Sequence, residues 1–377
     1  MEPVAIVGYA QSEMSGHMVS SRDEMIFTCV KQALDSAGIV RDDLDTVISC
    51  GNDFYDGHTI SQVYTLEASG AYAKDESKVE QDGLHALVYA VMRLLAGHHQ
   101  IAMVVAYSRA SDMEPHAAVA ASLDPVYDRQ FKVLNDTGVA AFQARAYMER
   151  YGLTEDDLAL VVEKNTGNGA RNPKAKARPA TSKAEVLASA PAFTPLRELM
   201  VYPNTDGICV AILAAGDRAE SLCQKPVWVK GLGWNQELYY LGDRDLTRIA
   251  SAEAAAAQAF KAAGIGPKDI GLIELSELFA HQEPMLLEAF GFAEPGQGRK
   301  LLREGVTAAG GKLPVNVSGG ALSACALSAV GLVRAVECAR QLRGEAELTV
   351  RADFALAHGQ CGLAAQNNVV AILGREK

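Results

Sequence analysis

Pro314-Val-Asn-Val-Ser-Gly-Gly-Ala-Leu-Ser-Ala-Cys-Ala-Leu-Ser-Ala-Val-Gly331 reads as the end of a strand (Pro314 to Val317), a paired-glycine turn, and a long run of Ala, Ser and Leu. Two glycines after a strand let backbone pass close to a ligand or adopt a positive φ. No charge occurs between Leu313 and Leu332, which raises the question of a membrane span. Asn316, the serines and the glycines make the run a poor hydrocarbon phase, and Arg334, Glu337, Arg340 and Arg343 follow at once. The reading adopted is therefore a helix buried in a large soluble core.

The rest of the chain fits such a core. Its 377 residues are 49% apolar, enough for one large or two ordinary cores. A net charge of −11 and the lack of a basic stripe with interleaved aromatics argue against a nucleic-acid partner. The opening Met1-Glu-Pro-Val-Ala-Ile-Val-Gly-Tyr9 has neither a basic n-region nor a long apolar h-region, so a cytoplasmic location and no membrane association are expected. Seven cysteines (Cys29, Cys50, Cys209, Cys223, Cys325, Cys338, Cys361) are scattered without a C-x-x-C pair and read as reduced thiols, with no metal site.

A β-α-β grammar occurs twice. Val4 to Val7 reads as strand, Glu24 to Ala37 as a helix closed by Gly38, and Asp45 to Ser49 as strand. After residue 225 the order recurs with Val227 to Lys230, Ala252 to Ala263 closed by Gly264, and Ile270 to Leu275. An internal duplication accounts for this, with halves at 1–220 and 221–377 and a boundary near Gly216 to Lys225. The stretch from Asn165 to Ala192 shows little periodicity. With Lys164 it carries Arg171, Lys174, Lys176, Arg178 and Lys183, so it reads either as a loop that attracts a phosphorylated ligand or as a solvated surface loop.

Several motifs then occur in a telling order: Val4-Ala-Ile-Val-Gly-Tyr, Arg150-Tyr-Gly-Leu, Glu163-Lys-Asn with Ala170-Arg-Asn-Pro, Tyr202-Pro-Asn-Thr-Asp-Gly, Ile273-Glu-Leu-Ser-Glu-Leu-Phe-Ala and Asn316-Val-Ser-Gly-Gly-Ala-Leu-Ser. Each is weak alone; together they resemble thiolases of the sterol-carrier-protein-x type across essentially the whole chain. The resemblance implies an α/β thiolase fold: two duplicated β-α-β-α-β-α-β-β halves in a five-layered α-β-α-β-α core, with a loop domain at about 110–200. It also implies acyl-CoA chemistry with coenzyme A as the substrate moiety and no metal, and a homodimer or a heterodimer with a paralogue. A zinc-ribbon and OB-fold accessory partner is a further implication.

The family's catalytic residue types are largely replaced. Its cysteine nucleophile stands three residues before a helical glycine; here that glycine aligns with Gly83 and the nucleophile position holds Glu80. Ser276 stands where the family has a histidine before an acidic residue. The histidine of Gly-His-Pro falls on Cys325 or Ala326, and the C-terminal acid/base position on His358 or Cys361. Ligand contacts are expected from Arg171, Lys174, Gly319 and Gly320.

Three readings compete. The first is an enzyme that makes or breaks a carbon-carbon bond of a CoA thioester without a cysteine nucleophile, as an acyltransferase or a retro-aldol lyase. Glu80 serves as base or, in a variant, as nucleophile; His358 or Cys361 is the second acid/base, Ser276 a donor to the thioester oxygen, and backbone N–H groups at Gly319-Gly320 or Cys361-Gly362 complete an oxyanion site. The second is a catalytically inactive scaffold or regulatory subunit of a hetero-oligomeric thiolase complex. The third is an ordinary thiolase whose nucleophile lies elsewhere, although no other cysteine precedes a helix-start glycine by three residues. The first is adopted. His281 and His85 are weighed as further proton carriers, and His98-His99 as solvated residues of a turn.

Overall fold

In the computed structural model, which describes residues 2–112, 115–131 and 133–377, nine strands form one sheet in the order β3-β2-β4-β7-β1-β8-β11-β10-β9. They are β1 (Val4–Gln11), β2 (Thr46–Cys50), β3 (Asp75–Val79), β4 (Ile101–Arg109), β7 (Asp206–Ala215), β8 (Val227–Gln236), β9 (Leu272–Glu274), β10 (Phe354–Cys361) and β11 (Asn367–Gly374). Two short strands, β5 (Pro191–Phe193) and β6 (Leu196–Arg197), pair apart from it. The helices in chain order are α1 (Arg22–Ala37), α2 (Asp53–Asp56), α3 (Gly83–Leu95), α4 (Pro115–Ser122), α5 (Asp136–Tyr151), α6 (Glu155–Gly169) and α7 (Lys183–Ala188), then α8 (Gly216–Leu222), α9 (Ala250–Ala263), α10 (Gln282–Ala289), α11 (Gly298–Arg303), α12 (Gly320–Ser323) and α13 (Val330–Arg343).

The sheet is two sheets joined at a narrow seam. β1 and β8 pair only at Ala5↔Trp228 and Ile6↔Val227, whereas β8 follows β11 from Trp228 to Gln236. Around that seam the layers follow from composition. α1 has one apolar face (Met25, Ile26, Cys29, Val30, Ala33, Ala37) and covers the outside of β1 and β7. α9 covers β8 and β11 on the outside of the other half. α3 is buried along most of its length, from Gly83 to Val88 and on to Leu94, and lies with α13 between the two halves of the sheet. This gives the α-β-α-β-α stack.

The repeated grammar is borne out by geometry. α1 ends at Gly38 with φ 65° and α9 at Gly264 with φ 68°, both in the left-handed region that lets the chain turn away. The alanine-rich composition of α9 has a direct cause. A Cβ at Gly231 would sit 2.2 Å from the Ala259 carbonyl oxygen, and one at Gly233 2.0 Å from that of Ala255, so helix and strand backbones meet with only small residues between them. Gly233→Ala is expected to lower stability by about 1–3 kcal/mol, measured as a shift in urea midpoint; an unchanged midpoint would show that α9 can lift without cost.

Two expectations need correction. The Ala/Ser/Leu run is not one helix. α12 stops at Ser323, Ala324 is extended, and a single 3-10 turn at Leu327–Ala329 leads into α13. The break occurs because Cys325 bridges Asn204 and its carbonyl accepts from Thr205 N at 3.1 Å, which takes the segment out of helical geometry. The strand before it shrinks to an isolated bridge, Ile273↔Val315, because Asn316 adopts φ 55°. Likewise, the stretch from Asn165 to Ala192 is only partly loop: Asn165 to Gly169 complete α6, and α7 follows at Lys183. Among the described residues no helix is long and apolar enough to cross a membrane.

Candidate active site

Where the β3–α3 connection meets the turn between β10 and β11, a cavity of about 350 Å³ opens. Glu80 and Gln81 form one side, Phe54 and Tyr55 of α2 another, and Ala118, Val119 and Leu123 a third. Asp136, Tyr202 and Leu278 lie beneath, and Ser328, Gln360 and Cys361 close the wall. Of the residues singled out in the sequence, the fold brings Glu80 and Cys361 together here.

Glu80 does not begin α3. The helix is capped by Asp82, whose carboxylate accepts from Leu84 N at 2.9 Å, and Glu80 stands two residues upstream with a side chain 44% exposed. Its carboxylate accepts from Lys78 Nζ at 2.8 Å, and Lys78 also reaches Asp53 and Ser61. The Cys361 thiol is pushed up to about 12 by burial, with the Asp82 charge adding to it and Asn367 opposing it. That shift favours the thiol form at neutral pH.

His358 does not line the cavity. It is fully buried, its Nε2 meets Asn368 Oδ1 at 2.9 Å, and Ser276 N donates to Nδ1 at 3.4 Å. Burial pushes its pKa down to about 4, so it is a neutral ring with both nitrogens engaged. Ser276 is turned the same way: its hydroxyl donates to the His358 carbonyl at 2.6 Å and does not line the cavity. Cys325 is buried in the bridge to Asn204, its thiol raised by burial. His281 is held at Gln143 Oε1 (3.0 Å), and His85 is nine-tenths buried in α3 with its pKa lowered to about 4 by burial. His99 pairs with Asp75 at 3.1 Å.

The expected CoA contacts also move. Arg171 is exposed and Lys174 partly buried on a segment tied to Met14, whose N–H donates to the Lys174 carbonyl at 2.8 Å; neither lines the cavity. The neighbouring positive charges are engaged within the fold. Lys164 pairs with buried Glu283 (3.0 Å), Lys176 with Glu13 (2.8 Å) and Lys183 with Asp156 (2.6 Å), while Arg178 donates to the carbonyls of Leu199, Val201 and Leu322. Gly319 and Gly320 serve packing: a Cβ at Gly319 (φ 108°) would fall 2.6 Å from Gly169 Cα, and one at Gly320 (φ 64°) 2.1 Å from Glu277 Oε1.

Sequence reasoning missed four groups at or beside the cavity. Asp82 is buried and receives Gly331 N at 2.9 Å, so one carboxylate ties the start of α3 to that of α13. Burial pushes it up to about 7, against the N–H groups of Leu84, Gly331 and Gly83. The pattern Asp-Gly-Leu at a helix start is an N-cap signal and could have found it. Tyr202 donates to Asp136 Oδ2 at 2.7 Å, and burial raises both the Tyr202 and Tyr55 phenols, keeping them protonated. The fourth is Gln360, the end of a chain of amides. Gln143 Nε2 donates to Ala364 O (3.2 Å), Gln282 Nε2 to Gln143 Oε1 (3.4 Å), and Gln360 Nε2 to Gln282 Oε1 (2.9 Å) and the Ser276 carbonyl. Leu278 N also donates to Gln282 Oε1 at 3.0 Å, which fixes the direction of every amide.

Behind the cavity, Glu277 accepts from Asn165 (2.9 Å) and Asn316 (2.7 Å), and burial together with Glu283 pushes its carboxyl up to about 8. The folded chain then holds a proton that the unfolded chain releases, so this group's contribution falls as pH rises from the ordinary carboxylate range through about 8. Glu277→Gln is expected to lose about 1–3 kcal/mol less than the wild type over that window. Urea melts at about pH 5 and about pH 8.5 check this; parallel curves would contradict it.

The family described as "Thiolase C-terminal domain-like" matches residues 235–375. The acetyl-CoA acetyltransferase of Methanothermobacter thermautotrophicus is 32% identical over 356 residues, 92% of each chain. Sterol carrier protein 2 of Bos taurus is 33% identical over 54% of this chain and 38% of its own length. Among solved structures, "Ltp2-ChsH2(DUF35) aldolase" superposes with a TM-score of 0.84 at 22% identity, covering 100% of this chain and 98% of that one. Among the described residues no group of three or more His, Cys, Asp or Glu is placed to hold a metal ion.

Proposed function

Since the chain belongs to the thiolase superfamily, in its sterol-carrier-protein-2-like branch, we propose that it cleaves, or in reverse forms, a carbon-carbon bond of an acyl-CoA by aldol chemistry without an acyl-enzyme. The observation that carries this is the pairing in one cavity of a carboxylate, Glu80, with a thiol, Cys361, that burial keeps protonated. Thiolysis needs a thiolate; a retro-aldol step needs only a base and donors.

In the proposed reaction, Glu80 takes the proton of a β-hydroxyl. The C–O bond becomes a carbonyl as the bond between the α and β carbons breaks, and the electron pair passes into the thioester as an enolate. Cys361 or a phenol of Tyr55 or Tyr202 returns a proton to the α carbon. The products are a shortened acyl-CoA and an aldehyde or ketone, with no change in overall oxidation state. Lys78 positions Glu80 by its 2.8 Å contact.

The assembly is also proposed. The structural neighbour is named as a pair, Ltp2 with ChsH2(DUF35), and as an aldolase; an accessory protein of that kind, or a second thiolase-like chain as homodimer or heterodimer partner, fits this reading.

β-Hydroxyhexanoyl-CoA is the test substrate. Wild-type protein, alone and with any co-purifying partner, is expected to yield acetyl-CoA and butanal, and intact-protein mass spectrometry is expected to find no acyl adduct. An adduct on Cys361 would overturn the aldol reading in favour of thiolysis. Failure of calorimetry to detect binding of any CoA thioester would leave a thiolase-shaped scaffold.

A further inference from the structure

Two carboxylates, Glu80 and Asp136, belong to the cavity wall, and among the described residues no lysine, arginine or histidine lines it. The rest of the lining is uncharged, with Phe54, Leu123, Leu278 and Leu327 supplying much of its apolar surface. The cations behind the wall have partners of their own. Lys78, its side chain 7% exposed, contacts Asp53 as well as Glu80, two carboxylates to one ammonium. Arg244 donates to the carbonyl of the lining residue Leu363 at 2.8 Å, but it is 2% exposed and pairs with Glu237 at 3.1 Å. Arg129 donates to the Ala121 carbonyl at 2.9 Å and does not line the cavity. Helix starts are the other source of positive potential, and those of α2 and α5 at this wall are satisfied by the chain itself. Asn52 Oδ1 accepts from Phe54 N at 2.9 Å, and Asn135 Oδ1 accepts from Gly138 N at 2.8 Å, with Asp136 in the first turn of α5. A carboxylate entering here would exchange water for an apolar lining, two like charges and no cationic partner.

We propose that the cavity selects uncharged acyl chains and rejects those that end in a carboxylate, with Asp136 as the residue that sets the preference; this rests on the aldol reading above and narrows its substrates to neutral β-hydroxyacyl-CoA thioesters. Discrimination of this kind comes from a partner withheld and a like charge supplied. A site built for a dicarboxylic acyl group would place a guanidinium or an ammonium where the chain ends. Here the wall offers Asp136 and leucines in its place. Tyr202 donates to Asp136 Oδ2 at 2.7 Å, which fixes the carboxylate at the wall. The phosphates of coenzyme A escape the exclusion, because the pantetheine arm separates them from the thioester.

Three thioesters of one chain length decide the matter on the wild type: β-hydroxyhexanoyl-CoA, β-hydroxyadipoyl-CoA, which ends in a carboxylate, and the terminal amide of the latter, which matches the acid in size and polarity without its charge. By calorimetry at neutral pH the acid is expected to bind about 10- to 100-fold more weakly than its amide, and kcat/KM for cleavage is expected to follow the same order. Asp136→Asn keeps an oxygen for the Tyr202 hydroxyl and is expected to narrow the gap between acid and amide by about 3- to 10-fold, with a thermal melt to confirm folding. Equal binding of acid and amide by the wild type would overturn the inference while leaving the thioester site standing, whether or not both fall below the hexanoyl compound. An unchanged gap in folded Asp136→Asn would overturn the role given to that residue. No binding of any of the three would remove the aldol reading and the inference together.

Discussion

Glu80→Gln is expected to lower kcat for β-hydroxyacyl-CoA cleavage by about 10²- to 10⁴-fold, the range for loss of a general base, with little change in KM. The substitution keeps size and an oxygen that can still accept from Lys78 Nζ, and the side chain is nearly half exposed, so the fold has no reason to respond. What it removes is the ability to hold a proton. Steady-state kinetics give the result, with a thermal melt to confirm that the variant is folded. Unchanged kcat would move the base elsewhere in the cavity, Asp136 being the other carboxylate on its wall among the described residues.

The second large effect is on stability. Arg334 lies 2% exposed in α13, its guanidinium 3.1 Å from Glu274 and 2.6 Å from the Ser318 hydroxyl, while Glu274 is fully buried. Arg334→Met is expected to destabilise the chain by about 3–5 kcal/mol, since it leaves a charge uncompensated in the interior. Adding Glu274→Gln removes that charge and is expected to recover part of the loss, because apolar or neutral replacement of a whole buried pair is far milder than breaking it. Urea unfolding of both variants tests this. A double variant no more stable than Arg334→Met would show that the cost lies in lost packing of the guanidinium and not in the stranded carboxylate.

The legible parts of this chain were those whose causes are local. Helix α1, its closing Gly38 and the repeat at α9 and Gly264 could be read because a cap, an apolar face and a turn sit within a few residues of one another. Glu80 and Cys361 could be placed because each adjoins a recognisable element boundary. Gln360 could not: the direction of its amide depends on Gln143, Gln282 and Ala364, and no spacing rule links them. The basic stretch misled for the same reason. Lys176, Lys183 and Lys164 read as free charge, yet their partners Glu13, Asp156 and Glu283 lie far away in sequence. His358 carried the right chemistry at the right end of a strand, but its burial against Ser276 and Asn368 is a property of the packed molecule. The paired glycines signalled close approach correctly and misidentified the visitor, which is helix α6 at Gly169.

The contact of α9 on β8 through Gly231 and Gly233 bears on how this pocket can be reshaped. β8 runs on toward Tyr239 at the cavity, and Glu237 N donates to Gln366 O at 2.9 Å, joining it to another lining residue. Main chain rests on main chain where α9 meets β8, which holds in place the strand that leads to this rim. The rim itself is made of side chains, Tyr239 with Phe54, Tyr55 and Leu123, and Asp124 N donates to the Tyr239 hydroxyl at 2.8 Å. Redesign for bulkier acyl groups therefore has side chains to trim around the rim, Tyr239 among them, while the strand behind them stays where α9 holds it.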